Sequence, residues 1–172
     1  DTPGSCARAS ARHTGRTLVA MTDLLAGTTV RAGDTPPTKV NRQVDSYSVT
    51  ITTFGVAASA GTYNDCAVVF VASTTGRAMV LYDASLDHSG AASTSVAPQI
   101  REGATIGSGT IFEDASLDNA IVNIGTDLRR YGAHVTLEGL TPGASYNARL
   151  LHRVSAITGT IAQRIITVAP CT

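Results

Sequence analysis

A chain of 172 residues with 43% hydrophobic and 15% charged side chains can build one sizeable core, and no composition shift divides it in two. Thirteen basic groups balance thirteen acidic ones, so no net field gathers a polyanion and nucleic acid is not an expected partner. No run approaches the ~18–20 apolar residues of a membrane span, so no membrane insertion is expected.

Residues 1–20 carry Arg8, Arg12 and Arg16 but no apolar stretch of the kind a secretory signal needs. Pro3, Gly4 and Gly15 interrupt the four-residue spacing of the arginines. The stretch is expected to be a disordered or artefactual extension ahead of a natural start at Met21. Residues 21–44 are rich in Thr, Pro and Gly, and Pro36-Pro37 favours an extended, solvated backbone. An extended arm is expected there, followed by a single domain over residues 45–172.

That domain reads as strands throughout. Residues 47–54 alternate, with Tyr47, Val49 and Ile51 on one face and Ser48, Thr50 and Thr52 on the other. Further β-type runs follow at 66–71, 77–82, 94–102, 109–112, 120–124, 134–137, 146–154 and 161–168, each bounded by turn residues such as Thr75-Gly76, Ser89-Gly90 and Pro142-Gly143. Within 146–154 the alternation puts Ala148, Leu150 and His152 on one face, opposite Asn147, Arg149 and Leu151. Helical periodicity is nowhere sustained, although residues 115–121 could hold one short turn. So many short antiparallel strands close as an all-β, antiparallel β-sandwich, and their irregular spacing favours a jelly-roll-like winding over an up-and-down barrel. Leu140-Thr141-Pro142-Gly143-Ala144-Ser145-Tyr146 sets a turn before a strand with a tyrosine able to bond backwards, as in a tyrosine corner.

The residues with chemical potential each have a quieter reading. Three cysteines make no disulfide framework, and Cys66, within an apolar run, is expected to be a small buried hydrophobe. The pentapeptide Asp-Ala-Ser-Leu-Asp occurs at 83–87 and again at 114–118, offering carboxylates of the kind calcium uses. Neither copy has the glycine and terminal glutamate of a calcium loop, and aspartate is common in turns because it bonds the local backbone; no metal is expected. His13, His88, His134 and His152 lack the close spacing of zinc ligands, so no cofactor is expected. No Gly-x-Ser-x-Gly elbow occurs, and His134 and His152 are expected to pack on strand faces rather than act as bases. Gly107-Ser108-Gly109 lacks the strand–loop–helix setting of a phosphate cradle and is read as a hairpin turn.

From Met21 onward the sequence resembles a family of virion-associated proteins of actinobacterial tailed bacteriophages and prophages. The features are Leu24-Leu25-Ala26-Gly27-Thr28-Thr29-Val30-Arg31-Ala32-Gly33-Asp34-Thr35-Pro36-Pro37, Thr74-Thr75-Gly76-Arg77, and Pro98-Gln99-Ile100-Arg101-Glu102-Gly103 followed by Ile106-Gly107-Ser108-Gly109-Thr110. Gly139-Leu140-Thr141-Pro142-Gly143-Ala144-Ser145-Tyr146-Asn147-Ala148-Arg149, His152-Arg153-Val154 and Arg164-Ile165-Ile166-Thr167-Val168-Ala169-Pro170 complete the match. Twelve arginines against the single Lys39 fit a GC-rich genome. The resemblance implies a minor tail or tail-fibre-like protein, a homotrimer with no catalytic residues, made in the bacterial cytoplasm and located in the virion. It also implies that residues 21–44 contact other virion proteins and that a loop end of the sandwich faces the host surface.

The polar residues Asp83, Asp87, His88, Asp114, Asp118 and Asn119 are the candidates for that host contact; the alternative is that their loops merely close strands. Two other functions stay open. One is a glycan- or cell-surface-binding module, although three Phe, five Tyr and no Trp supply little aromatic surface. The other is a capsid decoration protein. A glycosidase would need paired carboxylates, and nothing in the sequence brings Glu102, Glu113 and Glu138 together.

Overall fold

The computed structural model describes residues 36–171, which form strands and connections with no helix among them. No helix is long and apolar enough to cross a membrane among the described residues. The expected extension at 1–20 and most of the expected arm, residues 21–35, lie outside the described residues.

Ten strands follow in order: β1 (Lys39–Val49), β2 (Ala60–Gly61), β3 (Ala67–Val71), β4 (Ala78–His88), β5 (Thr94–Glu102), β6 (Ile111–Glu113), β7 (Ile121–Asn123), β8 (Arg129–Leu137), β9 (Ser145–Val154) and β10 (Gly159–Pro170). They make two antiparallel sheets packed face to face as a β-sandwich. One has the order β2-β1-β10-β4-β8; the other has β3-β9-β5-β6, with β7 also on β5. The pairs β1·β10 and β4·β8 belong to the first sheet, β3·β9 and β5·β6 to the second, so the chain repeatedly crosses the core. Lys39 sits across from Val168, and the chain enters and leaves this domain at the same end of the first sheet.

The period-two pattern explains the core. Val80, Tyr82, Ala84 and Leu86 of β4, with Ile161 and Ile166 of the neighbouring β10, pack against Val96 and Ile100 of β5 and Ala148, Leu150 and Val154 of β9, all essentially without exposure. Pro98 falls between the β5 residues paired with β7 (Thr94 to Val96) and those paired with β6 (Ile100 and Arg101), where a residue without an N–H disturbs the ladder least. Gly107-Ser108-Gly109 lies in the β5–β6 connection. There the buried Asn147 carboxamide takes the Gly107 N–H at 3.0 Å and donates to the carbonyls of Gly103 and Ser108.

Two expected boundaries move. The sequence pattern sets the domain from residue 45, but β1 begins at Lys39, so residues 39–44 belong to the sheet and not to an arm. Their pattern is inverted: Val40 and Val44 point outward, 62% and 72% exposed, while Asn41 and Gln43 point inward. Those amides donate to the carbonyls of Ala67 and Asp65, capping the outer edge of β3. The alternating run at 47–54 is also cut at Val49, because the chain there crosses to the second sheet. Ile51 accepts the Val154 N–H at 2.8 Å, and Gly55 bridges His152.

The turn before β9 behaves as its sequence suggests. The Tyr146 ring is buried against Phe70 and Phe112, and its hydroxyl accepts the Thr141 N–H at 3.0 Å, pinning the connection to the strand it precedes. Tyr146→Phe keeps the ring and leaves that N–H without its partner. Urea unfolding should show a loss of about 1 kcal/mol with an unchanged m-value.

Candidate functional site

The six candidate residues separate in the structure. Asp83, Asp87 and His88 were expected in a polar loop, but all three lie in β4, a strand paired on both sides. The cause is the alternation inside the pentapeptide itself. Ala84 and Leu86 enter the core, so Asp83 and Asp87 point outward between β10 and β8. Asp83 is ion-paired with Arg130 of β8, and Asp87 accepts the Thr160 N–H at 3.0 Å. His88 is buried. Its Nε2 donates to Ala156 O at 2.9 Å and its Nδ1 accepts the Gly90 N–H at 3.2 Å, tying together the connections at one end of the sandwich.

The second copy of the pentapeptide does form a connection, between β6 and β7. Asp114 accepts from Gln99 Nε2 at 2.7 Å and from the Ala115 N–H at 2.9 Å. Asn119 accepts the Ser116 N–H, donates to Glu113, and offers its carbonyl to the Tyr82 hydroxyl. Asp118 is exposed on the same loop. Thus Asp83 and Asp87 lie on the outer face of one sheet while Asp114, Asp118 and Asn119 close a loop of the other, and the two carboxylate pairs do not meet. No group of three or more His, Cys, Asp or Glu could hold a metal ion among the described residues.

What the structure does bring together is a shallow groove of about 350 Å³ on the outer face of the first sheet, lined by Leu81, Asp83, Gly132, His134, Ile165 and Thr167. Gly132 stands opposite Asp83 in the β4–β8 ladder, and its missing side chain makes the depression. His134, opposite Leu81, is exposed at the wall. Leu81 and Ile165 supply apolar sides; Asp83, His134 and Thr167 supply polar tips. The groove is open to solvent along the sheet and does not enclose a cavity.

A second cluster, unforeseen in the sequence, lies inside the sandwich. Arg164 of β10 is 1% exposed, and its guanidinium sits 4.6 Å from the Tyr47 ring centre and 4.9 Å from that of Tyr63. Its Nη2 donates to both Asp45 carboxylate oxygens and to Asn64 O, each at 2.8 Å. Its Nε and Nη1 find no hydrogen-bond acceptor among the described residues. A bulge between Ala162 and Ile165, with Gln163 at φ 50°, turns Arg164 into the core alongside Ile166 and Val168. His152 packs 5.1 Å from Tyr47, centre to centre, and its Nδ1 lies 3.0 Å from the Tyr47 hydroxyl.

Burial governs the acid–base behaviour here. It pushes the Cys66 thiol up to about 12, making it the inert hydrophobe its sequence suggests, and it raises the Tyr47 and Tyr63 hydroxyls despite the neighbouring Arg164 charge. It also lowers His152 to about 4, with the Arg164 charge acting in the same direction. Folded His152 therefore refuses the proton that the unfolded chain takes near pH 6.5. Stability is complete above that pH and falls as pH drops toward 4, by about 1.4 kcal/mol per unit. Urea unfolding between pH 7 and 4 should show this slope in the wild type and a shallower one in His152→Gln. Arg164→Ala strands a buried carboxylate and should cost about 3–5 kcal/mol, with the Asp45→Ala/Arg164→Ala pair losing less than the sum of the singles.

Compared with known protein families and with curated proteins, the chain matches none.

Proposed function

We propose that this protein is a non-catalytic structural component of a tailed-phage virion, a minor tail or tail-fibre-like domain that assembles as a homotrimer. The observation that carries this reading is how its chemically able groups are used. Asp45 is bound to Arg164, Asp83 to Arg130, Asp87 to the Thr160 backbone, Asp114 to Gln99, His88 to Ala156 and His152 to Tyr47. Each spends its hydrogen-bonding capacity on holding strands or connections in place, which suits a module that bears contacts rather than one that turns over substrate.

Two further features support it. The strand order β1-β10-β4-β8 facing β3-β9-β5-β6, in which the chain crosses repeatedly between two sheets, supports reading the sandwich as jelly-roll-like. The resemblance to virion proteins read in the sequence extends from Met21 to Pro170 and so takes in the segment leading into β1, which in this reading contacts neighbouring virion proteins. The groove beside Gly132 favours a second role, recognition of a host-surface glycan, because carboxylate, imidazole and hydroxyl converge there over apolar walls.

Particles released from the source bacterium after prophage induction and purified on a density gradient should contain peptides of this chain in fixed proportion to the major virion proteins. Its presence only in the soluble lysate would overturn the virion reading.

A further inference from the structure

Among the described residues most edges of the two sheets are short, partly capped or charged. β2 is two residues long, and β6 and β7 are three each. The Ala67 carbonyl at the start of β3 and the Asp65 carbonyl just ahead of it are capped by Asn41 and Gln43, and the free half of β1 carries Lys39, Arg42 and a bulge between Gln43 and Ser46. Short length, side-chain caps, charge and bulges are the usual means of keeping an edge from pairing with another chain.

β8 has none of them along its middle. It runs nine residues in unbroken register with β4, contains neither proline nor lysine, and forms the end of the first sheet. No loop backbone group bonds to its far side among the described residues. Its core-facing side chains Tyr131, Ala133 and Val135 touch the core yet remain half-buried, because the sheet stops there. The connection leading into it presents Ile124 and Leu128, 79% and 56% exposed, on the same flank. An unguarded ladder and an unfinished strip of core lie side by side.

We propose that β8 pairs antiparallel with β8 of a second copy across a twofold axis, joining two five-stranded sheets into one continuous sheet. The inference does not depend on the virion reading. A twofold through Ala133 fits the side chains best. It sets Tyr131 opposite Val135 in the core-facing row, an aromatic–β-branched pair, and completes the half-buried strip. In the outward row Arg130 stands opposite Thr136, with Glu138 of the second copy one step along the diagonal, within reach of a guanidinium. The arginines at the start of β8 are thereby kept at opposite ends of the ladder, where they do not face each other. Such an isologous contact always yields an even number of copies: a dimer alone, or a hexamer where it joins two trimers.

The test uses the full chain. Light scattering coupled to size exclusion should give a mass of two or six chains at high concentration, declining on dilution. Under mild oxidation Arg130→Cys/Thr136→Cys should move most of the chain to a dimer on a non-reducing gel, reversed by reductant, since opposed residues of an antiparallel pair lie within disulfide reach. Thr136→Cys alone should match the wild type, whose native cysteines provide the background. Thermal melts of each variant under reducing conditions establish that the fold is retained. A monomer at all concentrations, a trimer, or an even-numbered assembly in which the double variant fails to cross-link would each overturn the proposal.

Discussion

A guanidinium held between two sheets sets terms that the surrounding residues must meet. Removing such a charge from water costs several kcal/mol, offset only when a carboxylate, further acceptors and aromatic faces are all in place. Here Asp45 comes from β1, the Asn64 carbonyl and the Tyr63 ring from the connection before β3, and Tyr47 again from β1. The bulges in β1 and β10 bring these partners into line. One side chain of β10 thus fixes the register of β1, the path of the segment that follows β2, and the seam between the sheets at that flank.

The strands that could be read from the sequence are those whose apolar residues face the core. β5 lies at 94–102 as its composition indicates, and β9 exposes its logic in Ala148, Leu150 and His152, all on the buried face. β1 was hidden because its two ends obey different rules: amides point inward and valines outward before Asp45, then the ordinary pattern resumes at Tyr47. β4 was cut short at Tyr82 because Asp-Ala-Ser-Leu-Asp has the composition of a turn. The same five residues make a strand at 83–87 and a loop at 114–118, so the decision belongs to the neighbours: β10 and β8 flank the first copy, whereas Asn119 folds the second onto itself. Nothing local announces Arg164 as a core residue, since its inward direction arises only from the bulge beside it.

The two flanks of the sandwich differ in kind. On the β1 side, side-chain amides reach from the first sheet to the start of β3, an ion pair ties β1 to β10, and polar atoms are consumed in the process. On the β8 side the half-buried Tyr131 donates its hydroxyl across to Asn123 of β7, its one side-chain hydrogen bond among the described residues. The outer face of the first sheet lies between these flanks, with Gly132 leaving its groove open beside the unguarded strand.

Because Lys39 and Val168 face each other in one ladder, chain arriving at the domain and chain leaving it are only about 5 Å apart at the backbone. A module connected in this way adds almost nothing to the contour of the polypeptide that carries it. The opposite pole of the domain is where His88 ties the connections together. Tension applied between its two ends would open the β1–β10 ladder one bond at a time, as a zip opens, instead of loading all of its bonds in shear. Such a module is suited to projecting from a structure rather than to transmitting force along it.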